Sequence, residues 1–223
     1  MRRQHPRPWA VLEDAGAVAE RDRYRGRKGY FVPDQFGNPD NARCHERTTG
    51  VELVRQLHRA GVHSLGAFVA GVGTGGTLMG VGRALRTAMP QVRVVAVEPA
   101  ESAVMGGGPP GDHGIQGIGD GFVPALVEMK DLDEVVAVST AEAHAEAERI
   151  RIEHGFCVGP SSGANLLAAR RLKARGVSVA TLWPDCSDRY VSVGLLPPAA
   201  PDVRCPLQTT CVKRSASRLA VAR

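Results

Sequence analysis

Apolar positions along this chain change their period several times, and the changes mark its elements. Four short runs rich in valine, alanine and leucine fall at 65–70 (LGAFVA), 91–99 (QVRVVAVEP), 134–139 (EVVAVS) and 177–184 (VSVATLWP). Each is bounded by glycine, proline or charged residues, the pattern of buried strands. Between them the spacing lengthens to that of helices at 78–89, 141–155 and 165–176, with stops at Pro90, Gly155 and Gly176 and a cap expected at Thr140. Upstream, 9–22 predicts a short helix and 30–33 a short extended piece ended by Pro33. Residues 38–60 read as helical with an interruption at Thr48-Thr49-Gly50, where either threonine would cap the second half. Ser187-Asp188 would cap a last short helix through Leu195. Strand, glycine-rich loop, helix, strand is the grammar of a parallel sheet, so the expectation is a three-layer (αβα) α/β domain with a mainly parallel sheet. It would occupy residues 31–196, between a basic segment at 1–30 and a disordered tail at 197–223. No internal repeat is present.

Composition narrows the function classes. Of the 223 residues 43% are apolar and 23% charged, as in an ordinary globular protein. Twenty-six glycines and only 4% aromatics fit tight enzyme loops better than a surface built to stack bases. The net charge of +5 is an end effect. Residues 1–30 and 197–223 each carry a net +4, and the body between them a net −3. No specific nucleic-acid partner is therefore expected. Five cysteines without a C-x-x-C pair suit a reducing cytoplasm rather than a disulfide or zinc framework. No metal site is expected, and no apolar run is long enough to cross a bilayer.

The candidate chemistry centres on Gly71-Val72-Gly73-Thr74-Gly75-Gly76-Thr77, between a predicted strand and a predicted helix. The first amides of a helix lack intrahelical partners and sit at the positive end of its dipole. Glycines let backbone approach an anion, and the threonine hydroxyls add donors, so the loop suits a phosphate. A nucleotide-binding loop of the Gly-Lys-Ser/Thr type is excluded because no lysine ends the run. A dinucleotide fold stays open, since Gly71, Gly73 and Gly76 match G-x-G-x-x-G and Glu98 ends the next strand where a ribose-binding acid is expected. So does a tight turn that binds nothing.

Four further motifs follow in order with this loop: Gln35-Phe36-x-Asn38-Pro39 with His45 and Thr48-Thr49-Gly50; residues 115–124 (IQGIGDGFVP); residues 158–165 (VGPSSGAN); and residues 184–190 (PDCSDRY). Together they resemble the cysteine synthase (O-acetylserine sulfhydrylase) family of fold type II pyridoxal-phosphate enzymes over roughly residues 31–196. The resemblance implies pyridoxal 5'-phosphate as cofactor, an amino-acid substrate, a homodimer in the intact family, and β-replacement that makes cysteine from O-acetylserine and sulfide. Cystathionine β-synthase-like or cysteine desulfhydrase activity is the near alternative, because the same loops serve all three. A non-catalytic cofactor-binding fragment and the NAD-binding domain are the alternatives from other classes.

By the same resemblance, Gly73, Thr74, Gly75, Gly76 and Thr77 would hold the cofactor phosphate. Ser161 would meet the pyridine nitrogen, with Pro184 and Asp185 along the ring edge. Gln35 and Phe36 would meet the substrate, and Gly117 and Gly119 would let backbone approach it. Ser161 and Asp185 taken alone would be a helix cap and a turn residue. His45, His113, His144 and His154 have no ligand spacing and receive no role. Cys186 reads as a structural thiol.

The chain departs from the family pattern at one point. The family's Schiff-base lysine and its T-S-G-N-T-G loop have no counterpart here. The four lysines are Lys28, Lys130, Lys173 and Lys213, and none lies in such a motif. No catalytic residue is therefore assigned. The expectation is a chain that matches the C-terminal part of the family, has no sulfhydrylase activity by itself, and exposes an apolar face.

Overall fold

The structure is a computed structural model that describes residues 11–187, 189, 190 and 219–221; side chains of 11–15 and 219–221 are outside the description. A five-stranded sheet runs in the order β3-β2-β1-β4-β5. Its strands are β1 Ala67–Gly71, β2 Arg93–Pro99, β3 Glu134–Val138, β4 Val179–Leu182 and β5 Leu219–Val221. The first four are parallel, and β5 pairs antiparallel with β4 at the edge.

Alternation along β1 divides the core. Phe68 and Ala70 face one way, with Val94 and Ala96 of β2, into a cluster with Leu53 and Leu57 of α3 (Val51–Arg59) and Leu78, Val81 and Leu85 of α4 (Gly76–Ala88). Ala67 and Val69 face the other way, with Val95 and Val97, onto Ala143 of α5 (Thr140–His154) and Ala164, Ala168 and Leu172 of α6 (Pro160–Ala174). A sheet buried on both faces needs near-continuous apolar strands. β2 supplies them, with six of its seven residues buried. The expected three-layer α/β domain with a mainly parallel sheet is what forms.

Several local expectations are corrected. Ser139, not Thr140, caps α5. Its hydroxyl accepts from the Glu142 amide while the Glu142 carboxylate accepts from the Ser139 amide, a closed capping box. Thr140 instead accepts from the amide of Gly114 on the neighbouring loop. Thr48-Thr49-Gly50 does not interrupt the helix after Asn38. Residues Glu46–Gly50 form a π-helical turn that joins α2 (Pro39–His45) to α3 without a break. The stretch 30–33 pairs with no described strand. α1 spans Val11–Tyr24. Residues 197–218, 222 and 223 of the expected tail, and residues 191–195 of the expected last helix, lie outside the described residues. Leu219–Val221 form strand β5.

The topology locates the site. From β1 the chain crosses by α4 to β2 and goes on to β3. It then returns through α5 and α6 to β4, on the opposite side of β1. The order reverses between β1 and β4, and a crevice opens outside their carboxyl ends, where ligands bind in open α/β sheets.

Candidate functional site

A cavity of about 240 Å³ sits at that crevice, lined by Gly71, Gly73, Thr74, Gly75, Thr77, Gln116, Gly117, Ile118, Ser161, Asn165, Pro184 and Asp185. Asn165 on α6 closes its floor. Its Oδ1 accepts from the Gly71 amide at 2.7 Å, and its Nδ2 donates to the Leu182 carbonyl at 3.0 Å, so one buried amide ties the ends of β1 and β4 together.

The glycine loop is shaped by close contacts. A Cβ at Gly73 would lie 2.4 Å from the Gly117 carbonyl oxygen, so this wall and the 115–121 loop meet backbone to backbone. Gly75 precedes α4 at φ +83°, a left-handed conformation that glycine adopts without penalty, and a Cβ there would meet Val127 at 2.4 Å. α4 thus begins at the cavity edge, with Gly75 and Thr77 in the lining and no acidic residue in the helix's first turn. Glycine also brings α4 and α2 into backbone contact. A Cβ at Gly80 would stand 2.1 Å from the Ala42 carbonyl oxygen. At this range α2 side chains reach the loop: Asn41 Nδ2 donates to Thr74 Oγ1 at 3.0 Å, and His45 Nε2 lies 3.3 Å from Thr77 Oγ1. Burial holds the His45 imidazole below its ordinary pKa.

At the opposite end Ser161 stands in the first turn of α6, buried. Asp185 follows β4. Its backbone carbonyl accepts from the Gly159 amide at 3.2 Å, and its Oδ2 accepts from the Tyr190 hydroxyl. Burial, then this bond, pushes the Tyr190 phenol well above its usual range, which keeps it protonated and donating. The third wall is the 116–118 stretch, where the Gln116 side-chain Oε1 is buried without a hydrogen-bond partner.

Of the residues singled out from sequence, Gly73, Thr74, Gly75, Thr77, Ser161, Pro184, Asp185 and Gly117 line this cavity. Four do not. Gly76 is buried behind the loop against the Asn41 side chain. Gly119 turns its amide to the Val72 carbonyl at 2.9 Å, and a Cβ there would strike Pro99 and His113. Phe36 packs edge-on against Phe122, 5.1 Å between ring centroids, and Gln35 is exposed with its carbonyl accepting from Asn41. Gln116, Ile118 and Asn165 line the cavity without having been assigned a role, although each sits inside a motif, and Gly71 lines it having been named only in the dinucleotide alternative. Asn41 and His45 act from behind the loop, and only the tertiary contact reveals them.

Glu98, the ribose-binding acid of the dinucleotide reading, is buried and accepts from the Met105 and Gly106 amides at 2.8 and 2.9 Å. It holds the 105–106 turn and does not line the cavity. No lysine lines it among the described residues, where Lys28 and Lys130 are exposed and Lys173 lies in the last turn of α6. Among those residues no group of three metal-ligating side chains occurs, and no helix is long and apolar enough to cross a membrane.

Comparison with known proteins gives one direction. Residues 8–181 match the family described as pyridoxal-phosphate dependent enzyme. A Staphylococcus aureus cysteine synthase is 40% identical over 183 residues, covering 81% of this chain and 58% of that protein. Among solved structures, O-acetylserine sulfhydrylase isoform 3 of Entamoeba histolytica superposes with TM-score 0.73 at 38% identity, covering 81% of this chain and 54% of the other. An O-acetylserine dependent cystathionine β-synthase of Helicobacter pylori does so with TM-score 0.73 at 36% identity, covering 80% and 58%. The chain thus spans a little over half the length of the relatives it matches.

Proposed function

The chain belongs to the pyridoxal-phosphate dependent enzymes, and we propose from that membership that it is the cofactor-phosphate-holding part of a cysteine synthase. The proposed reaction is β-replacement on O-acetylserine by sulfide. The observation that carries this reading is the two-ended cavity at the β1/β4 reversal. A cradle of glycines, threonine hydroxyls and helix amides forms one end, and the neutral Ser161 hydroxyl the other.

These residues fit the cofactor. The cradle offers donors and no carboxylate, as a phosphate dianion requires. A side chain at 73 would strike the Gly117 carbonyl oxygen and one at 75 would strike Val127, so the cradle keeps its shape only with glycine at both positions. The side-chain Oε1 of Gln116, a lining residue, is buried without a hydrogen-bond partner. In this reading Thr74, Thr77 and the amides of Gly75 and Thr77 hold the phosphate, with Gly73 and Gly76 close-packed beside them. Ser161 meets the pyridine nitrogen with a neutral hydroxyl, which does not favour a protonated ring as a carboxylate would. Pro184 and Asp185 flank the ring edge, with Asp185 oriented by Tyr190 and Gly159. Gly117 lets backbone approach the substrate, Gly119 and Phe36 brace that loop from outside the cavity, and Gln35 holds Asn41 behind the glycine loop. When bound, the cofactor supplies the electron sink that labilises the substrate's β-substituent. The chain's own part is to fix that group and exclude water around it.

The H. pylori relative favours a second reading, in which the same loops serve a cystathionine β-synthase. The proposal carries with it a homodimeric assembly of the intact enzyme and a cytoplasmic setting. Its test is thermal stabilisation of the purified chain by pyridoxal 5'-phosphate, by pyridoxal and by NAD. Stabilisation by the first alone is expected. Stabilisation by NAD without response to pyridoxal 5'-phosphate overturns it.

A further inference from the structure

Two side chains one helical turn apart on α2 each touch one of the two threonines of the cradle. Asn41 Nδ2 donates to Thr74 Oγ1 at 3.0 Å, and the Gly76 amide donates to the same oxygen at 3.3 Å. The other Asn41 amide proton goes to the Gln35 carbonyl at 2.9 Å, which can only accept. That contact fixes which end of the Asn41 amide points at Thr74. A hydroxyl oxygen has two lone pairs and one proton. With both lone pairs of Thr74 engaged, its O–H is left to point into the cavity.

His45 stands in the same relation to Thr77. Its Nε2 is 3.3 Å from Thr77 Oγ1, and its Nδ1 is 3.0 Å from Thr49 Oγ1. Two neutral arrangements satisfy these contacts. If Nδ1 carries the proton, Nε2 accepts the Thr77 hydroxyl and turns a lone pair toward the cavity. If Nε2 carries it, the imidazole donates to Thr77, Thr49 donates to Nδ1, and the Thr77 O–H is released toward the cavity. The π-helical turn Glu46–Gly50 begins just after His45 and contains Thr49. Extra residues of this kind recur at functional sites. A Cβ at Gly50 would meet Ala84 at 2.5 Å, and one at Gly80 would meet the His45 Cβ at 2.8 Å. The two glycines let α4 lie close enough for the imidazole to reach Thr77.

We propose that Asn41 and His45 are positioning residues: Asn41, together with the Gly76 amide, fills the acceptor sites of Thr74, and His45 donates to Thr77, so that both hydroxyls present protons to an incoming phosphate. The relevant His45 form is the neutral Nε2–H tautomer. Burial, which holds the imidazole below its ordinary pKa, favours a neutral ring, and no ionised side chain contributes to that displacement. The inference rests on the pyridoxal-phosphate reading for the identity of the phosphate, but not for the tautomer.

The experiment therefore has two arms. In the first, nitrogen-15 NMR of the imidazole reads the His45 tautomer in the full chain without ligand. Protonated Nε2 is expected, and protonated Nδ1 overturns the proposal whatever the chain binds. In the second, dissociation constants for pyridoxal 5'-phosphate and for pyridoxal are measured for the wild-type chain, His45→Leu, Asn41→Leu, Thr77→Val, Thr74→Val and the two matched double variants. Each leucine variant should weaken pyridoxal 5'-phosphate binding roughly tenfold, the scale of one hydrogen bond to a charged group. Binding of pyridoxal should hardly change. His45→Gln, whose amide can still donate, should recover most of the loss. In the Thr→Val backgrounds the leucine change should cost nothing further, because the hydroxyl it acts through is gone. Additive losses, or equal losses for pyridoxal, would mean that Asn41 and His45 act only by packing, and would overturn the inference. A wild-type chain that binds neither compound while showing the Nε2–H tautomer would overturn the cofactor reading instead.

Discussion

At the scale of single residues the cavity depends on where atoms are missing. Gly73 faces a carbonyl oxygen of the main chain, which cannot swing aside as a side chain can. Gly73→Ala should therefore push the 71–77 and 115–121 loops apart and weaken pyridoxal 5'-phosphate binding at least tenfold, read by titration. Its effect on the melting temperature should be smaller than that of Gly75→Ala, which adds a left-handed backbone costing about 1–2 kcal/mol. Tyr190 offers a prediction in pH. Its folded pKa is raised above the unfolded value, so the phenol's contribution is fully present below about pH 10. It is lost as the pH rises through the unfolded value toward the folded one. Tyr190→Phe removes the donor to Asp185 and should cost about 1.5 kcal/mol at neutral pH. Urea titrations between pH 8 and 11 should find the variant's stability falling less steeply than the wild type's. Parallel slopes would show that Tyr190 does not hold Asp185.

At the scale of elements, α5 and α6 pack backbone to backbone through Gly163 and Ala143, and one carboxylate is central to the pair. Glu146 is buried on α5 and accepts from Arg149 on its own helix and from Arg170 on α6. The Arg149 bond, then Arg170, outweighs burial and holds Glu146 below its ordinary pKa. A depressed folded pKa stabilises above the unfolded value of about 4.3 and loses that contribution as pH falls through the folded one. Glu146→Gln should cost about 2 kcal/mol at pH 7. That lies between the values for surface and buried pairs, because both arginines are partly exposed. It should also flatten the acid limb of the stability curve, as followed by circular dichroism. The elements themselves were legible where local chemistry decides them. The four parallel strands overlap the apolar runs, β1 ending one residue beyond its run at Gly71, and α4 and α5 match the longer periods to within two residues at either end. What stayed hidden depends on partners distant in sequence. Thr48-Thr49-Gly50 looks like a break, because threonine and glycine are poor helix formers. It stays helical because α4 packs against it through Gly50 and Ala84. Thr140 looks like a cap because it begins the helical period, but its hydroxyl is drawn to Gly114 and Ser139 takes the cap. Of the site, the glycine loop, Ser161 and Asp185 were visible as motifs. Asn41 was not singled out, and His45, though inside a quoted motif, was assigned no chemistry, since nothing local marks either as reaching a loop more than thirty residues away.

For the whole molecule, the question is whether a complete cradle is a complete enzyme. The chain has four lysines against 24 arginines. Among the described residues none lines the cavity, and Lys130 is exposed beside Glu128. β-Replacement on the proposed substrate needs a group that takes and returns a proton next to the cofactor. The ionisable side chain in the cavity wall is Asp185, which is already engaged by Tyr190. The 223-residue chain should therefore bind pyridoxal 5'-phosphate through its phosphate, yet form no cysteine from O-acetylserine and sulfide above the rate of free cofactor. The exposed Tyr30 and Phe31, the latter 87% accessible, add a second expectation. Large apolar side chains left in water favour association, so sedimentation should detect self-association that Phe31→Ser reduces without changing cofactor affinity. Cysteine formation by the purified chain would be the more informative surprise. It would require a proton-transfer group at the cavity that the described residues do not place there, and Lys213, outside those residues, would then be the first side chain to replace.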